Sequence, residues 1–138
     1  YIHSQDAINF CWEIPGLCSL GAVSFQRLFN TGIANILSGY LSKGIMVDGD
    51  DLLVQDEFLG TDKQLRESGK VSVSITYSKE NVALGHTGIN IVAGDKAPPF
   101  AYSSNLTAKQ IKSFSKTVID YFNTEVRDQF VATTKIIV

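Results

Sequence analysis

The run from Lys70 to Val92, KVSVSITYSKENVALGHTGINIV, sets the architecture. Val71, Val73, Ile75 and Tyr77 alternate with Ser72, Ser74 and Thr76, the period-two pattern of a half-buried strand. Ser78-Lys79-Glu80-Asn81 is turn chemistry, and the apolar pattern resumes at Val82 to end in Ile89, Ile91 and Val92. The stretch reads as a β-hairpin, 70–77 with 82–93. Gly85 and Gly88 in its second arm mark a bulge or a place where another group comes close to the backbone. Pro98-Pro99 then ends any ladder, because proline has no N–H to donate.

Upstream, Phe25, Leu28, Phe29, Ile33, Ile36, Leu37, Tyr40 and Leu41 recur at three-and-four spacing, so a helix is predicted over about 17–42. Its other side carries Gln26, Asn30, Thr31, Asn35, Ser38 and Ser42, and Arg27 is the only charge between Glu13 and Lys43. Two readings follow. Either the helix is central and covered on most sides, or it enters a membrane or a partner groove through Phe29, Ile33 and Leu37. Downstream, Thr107-Ala108-Lys109-Gln110 is a capping box, with Leu106 and Ile111 placed as its hydrophobic staple, and predicts a second amphipathic helix over 108–125. Phe130 to Val138 is rich in β-branched residues and reads as a C-terminal strand, 130–138, closing the sheet. Hairpin strands beside two helices indicate an α+β fold with an antiparallel or mixed sheet.

With 138 residues, 44% of them hydrophobic, the chain can bury a core, and 1–138 is expected to form one domain with residues 1–16 as an N-terminal arm. A net charge of −2 argues against nucleic acid as a partner, because such binding draws on cationic neutralisation of phosphates. Asp48 to Asp62 holds six of the fourteen acids, but in Asp48-Gly49-Asp50-Asp51 the glycine is misplaced for a calcium loop. The stretch reads instead as a solvated acidic loop around a short apolar run, Leu52-Leu53-Val54, that docks onto the core. With no glycine-rich phosphate loop and no Cys/His ligand cluster, neither a metal nor a small-molecule cofactor is expected.

Tyr1 in place of Met fits a processed, secreted chain, and Asn105-Leu106-Thr107 is an acceptor pattern for N-glycosylation at Asn105. Cys11 and Cys18 flank Pro15-Gly16, so in an extracellular protein they are expected to close a small disulfide loop. The leading expectation is therefore a small secreted binding or effector (toxin-like) domain that acts on a protein or a membrane surface.

The alternative is enzymatic. Cys18-Ser19 opens a helix, where the dipole favours a thiolate, and Gly85-His86 begins an apolar strand. In these two pieces the sequence resembles the papain-like NlpC/P60 and CHAP cell-wall amidases and peptidases. That resemblance implies a cysteine hydrolase of peptide or amide bonds, with Cys18 as nucleophile, His86 as base, and a third polar group from Ser103, Ser104 or Asn105 orienting the imidazole. A Cys18 held in a disulfide would be excluded from that role.

Overall fold

A computed structural model describes residues 4–135. The chain runs β1 (Asp6–Pro15), α1 (Ser19–Leu41), β2 (Ile45–Asp48), β3 (Asp51–Val54) and the short strands β4 (Phe58–Leu59), β5 (Leu65–Arg66) and β6 (Gly69–Lys70). It continues through β7 (Ser72–Lys79), β8 (Val82–Val92) and α2 (Ala108–Ala132). The main sheet has the order β1-β8-β7 and is antiparallel, with β2-β3-β6 and β4-β5 as smaller sheets. This is an α+β fold.

The hairpin forms, with its first strand extended to Lys79 and the turn narrowed from the expected 78–81 to two residues. Glu80 and Asn81, both at positive φ, link the paired residues Lys79 and Val82, the two-residue connection whose twist suits a hairpin. The capping box is complete: Thr107 Oγ1 accepts from the Gln110 N–H at 3.2 Å, and Gln110 Oε1 accepts from the Thr107 N–H at 2.9 Å. Helix α1 forms where its periodicity places it, but Leu28 of the apolar stripe is exposed while Gln26 and Asn30 of the polar side are buried. Phe29, Ile33 and Leu37 are 2%, 0% and 0% exposed, inside the core rather than turned to a membrane or partner. No helix among the described residues is long and apolar enough to cross a membrane.

Three expectations are corrected. The N-terminal arm is instead the ten-residue strand β1, paired with β8 from Asp6 to Pro15. The expected C-terminal strand begins as helix, since α2 runs on through Phe130, Val131 and Ala132. Valine costs a helix only a fraction of about 1 kcal/mol, so a turn already propagated from a good cap overrides local β propensity. The remainder of that expected strand, 136–138, lies outside the described residues. The acidic stretch, expected as a loop, is partly built into the hairpin β2–β3, turned at Gly49 with φ 60°, while Leu52 and Val54 dock into the core as expected.

Both helices pack on one face of the main sheet. Phe10, Trp12 and Ile14 of β1 meet Phe25, Phe29, Phe114 and Phe122, with ring centroids 5.0 Å apart for Trp12–Phe25 and 6.0 Å for Phe10–Phe114. Gly85 lies opposite Trp12, and a Cβ there would fall 2.0 Å from the indole, so the close approach of the ring requires glycine. The strand β7 presents an inverted face. Ser72, Ser74, Thr76 and Ser78 pair with the inward residues Ile89, Thr87, Gly85 and Ala83, whereas Val73, Ile75 and Tyr77 point away from the helices.

The inward polarity is satisfied by α1. Ser74 Oγ accepts from Gln26 Nε2 at 2.9 Å and from Asn30 Nδ2 at 3.0 Å. Thr87 Oγ1 lies 2.9 Å from Ser74 Oγ and donates to Asn30 Oδ1 at 2.8 Å. Since Thr87 spends its proton on Asn30, Ser74 donates to Thr87, and the hydroxyls and amide close a ring.

Candidate functional site

On the side of the main sheet away from the helices, antiparallel register aligns residues in rows. Asn9, Gly88 and Val73 form one row, Cys11, His86 and Ile75 the next, and Glu13, Leu84 and Tyr77 the third. Ile75 is 65% exposed and Tyr77 55% exposed. Together with the partly buried Leu84 and Val73 they form an apolar patch bordered by Asn9, Glu13 and Lys79. His86 is held within it: its Nε2 donates to Asn9 Oδ1 at 2.8 Å, which puts a ring proton on Nε2.

A concavity of about 520 Å3 lies at the Val92 end of β8 and is lined by Asp56, Thr61, Asp95, Tyr102, Ser103 and Asn105, among others. Tyr102 Oη donates to Asp56 Oδ2 at 2.7 Å, and Lys43 Nζ stands 3.3 Å from Asp56 Oδ1. The Tyr102 hydroxyl, helped by Lys43, lowers the Asp56 carboxyl below its ordinary value against the opposing effect of burial. Burial, and then the hydrogen bond to Asp56 and its charge, push Tyr102 up to about 12. Nearby, Arg66 grips Asp62 through both carboxylate oxygens, at 2.8 and 2.9 Å, and with the Gln64 N–H lowers it to about 2. These are internally paired charges that order the loops around the cleft.

The structure disperses the residues singled out in the sequence. Cys18 caps α1, its Sγ accepting from the Gly21 N–H at 3.4 Å, and so begins a helix packed on the inner side of the sheet. His86 lies on the outer side. Asn105 is at the far end of β8, at φ 54°, with its N–H donated to Ile91 O at 2.9 Å. No hydrogen bond among the described residues joins Cys18 to His86 or either one to Asn105. The cysteine opposite His86 is Cys11, in a register the local sequence does not reveal.

The Cys11–Cys18 disulfide is also corrected, since both cysteines are free and exposed. From Cys11 to Pro15 the extended strand carries the chain roughly 13 Å before it turns, while bridged Cα atoms lie within about 7 Å. No cluster of three or more His, Cys, Asp or Glu able to hold a metal occurs among the described residues. The features the sequence reading missed, the outward Ile75 and Tyr77 and the Asp56–Tyr102 pair, depend on register and loop packing. The only local hint was that Ser72, Ser74 and Thr76 form a coherent polar face able to bond to a helix.

Neither a known protein family nor a curated protein matches the sequence. Among solved structures the chain is similar to a protein of unknown function from Pyrococcus horikoshi. The two are 18% identical with a TM-score of 0.72, over 99% of this chain and 67% of that one, a likeness that shows the fold alone.

Proposed function

We propose that this chain is a protein-binding domain whose contact surface is the outer face of the β1-β8-β7 sheet. The observation that carries the reading is the outward display of Ile75 and Tyr77 beside Leu84, while Ser and Thr are turned inward. Sheet residues normally sort the other way, so exposed large apolar side chains on a strand whose polar side chains face the helices mark a surface made to be covered. A protein is the fitting occupant. The rows mix Glu13 with Lys79 at their margins, as a protein interface rim does, whereas a surface for anionic lipid would be edged with cations throughout. Tyrosine is also a favoured contact residue between proteins.

Photo-crosslinking in the cells of origin tests this reading. A benzophenone side chain at Ile75 or Tyr77 is expected to capture a discrete protein, and the adduct is expected to disappear with Leu84→Lys. A probe at Lys109 on α2 serves as background. Labelling at Ile75 and Tyr77 no greater than at Lys109 overturns the proposal. Peptide-amide hydrolysis abolished by Cys18→Ala would favour the hydrolase reading instead.

A further inference from the structure

The free edge of β1 has a geometry of its own. Gly16 N–H donates to Asn81 O at 2.7 Å, one position beyond the Pro15–Val82 pair, and ladder bonds in an antiparallel pair recur at every second residue. Ile14, Trp12, Phe10 and Ile8 therefore bond to β8, and Ala7, Asn9, Cys11 and Glu13 turn their backbone N–H and C=O groups to the open side. Pro15 falls in the outward set, where its missing N–H breaks no ladder bond. Among the described residues β1 pairs only with β8.

This edge is one wall of a cleft of about 380 Å3 whose other wall is helical. Asn9, Cys11 and Glu13 stand on one side, and Val118, Ile119 and Phe122 of α2 on the other. Ile119 is half exposed there, and Glu13 belongs to none of the ion pairs in the described chain.

We infer that the β1 edge takes an extended peptide of a partner protein as an added strand. The occupant follows from the wall. Only an extended backbone offers donors and acceptors at the spacing of residues 7, 9, 11 and 13. Side chains of that strand opposite Phe10 and Trp12 would project toward Ile119 and Phe122, so they are apolar. Those opposite Cys11 and Glu13 project to the outer face, where the unpaired Glu13 carboxylate selects lysine or arginine. A second copy is the poorer occupant, because its own β1 brings two more acids, Asp6 and Glu13, and no cation. The inference rests on the reading of the chain as a protein-binding domain but uses a different surface from the Ile75–Tyr77 patch.

The test is titration of the isotope-labelled chain with the capped peptide Thr-Val-Lys-Val-Lys-Val-Thr, read by amide hydrogen exchange and by fluorescence anisotropy. Protection of the Asn9, Cys11 and Glu13 amides is expected, with the amides of Phe10 and Trp12 unchanged because β8 already holds them. The same peptide with N-methylated lysines is expected to bind about tenfold more weakly, having lost its donors to the edge. Cys11→Pro, which removes an outward N–H, and Ile119→Glu, which places a carboxylate in the cleft, are both expected to weaken binding while circular dichroism stays native. Glu13→Gln supplies a milder variant with intact folding.

Equal affinity for the N-methylated peptide, no protection at residues 9, 11 and 13, or protection there in a peptide-free dimer each overturns the inference. The Ile75→Lys/Tyr77→Lys variant is expected to bind the peptide normally, so failure at the edge is distinguishable from failure of the outer-face reading.

Discussion

Asn30 of α1 donates its side-chain amide to Ser74 Oγ of β7 at 3.0 Å, and this contact fixes which side of the main sheet faces the helices. The amide brings a donor and an acceptor into the core, and Ser74 and Thr87 meet both. Turning β7 over would leave the Asn30 amide N–H without its acceptor, while Thr87 of β8 still served the carbonyl, and would bring Ile75 and Tyr77 against it. A buried polar group without a partner costs about 1–3 kcal/mol, comparable with the gain from burying one aliphatic side chain.

Asn30→Ala is accordingly expected to lower stability by about 2–3 kcal/mol, because both hydroxyls lose a partner in a buried site. Urea denaturation measures it. A loss below about 0.5 kcal/mol would show that the ring does not hold β7 in place.

Gly85→Ala is expected to cost about 1–3 kcal/mol, since its methyl group would enter the space of the Trp12 indole. In a Trp12→Leu background the same substitution should cost measurably less. A double-mutant cycle with no coupling between the two sites would contradict the contact.

Tyr102 is expected to contribute an alkaline dependence of stability. Its folded value, about 12, lies above the ordinary 10, so the folded state favours the neutral phenol. The resulting stabilisation is complete below pH 10 and is lost as pH rises from 10 to 12. Asp56 has the opposite sign: its carboxyl is lowered, so its contribution holds above the ordinary carboxylate range and fades as pH falls through its folded value. Thermal melts of Tyr102→Phe should lose the extra alkaline sensitivity of the wild type and fall less steeply over pH 10–12. Identical alkaline slopes would remove Tyr102 from this role.

Cys11 and Cys18 are both expected to react with iodoacetamide in the native protein without prior reduction, giving two adducts by intact mass. Reduction should leave the count unchanged. A product that takes up label only after reduction would restore the disulfide.

Local chemistry controls the features that are legible in the chain alone. The turn within 78–81, the Thr107 cap and the 3.6-residue stripe from Phe25 to Leu41 each follow from a few neighbouring side chains, and together they specify the α+β class. Tertiary structure decided which face of each element is buried and which distant residues meet. A period of two separates Ser74 from Ile75 without saying which is inside, and the answer comes from Gln26 and Asn30, more than forty residues away. Register likewise set His86 opposite Cys11 and left Cys18 beyond the turn. The helix to Ala132 outlasts its β-branched end because propagation from an established cap costs less than local propensity suggests. The candidate site depended on these nonlocal choices. An exposed patch and an open strand edge are properties of how elements are stacked, and no short segment of the chain encodes them.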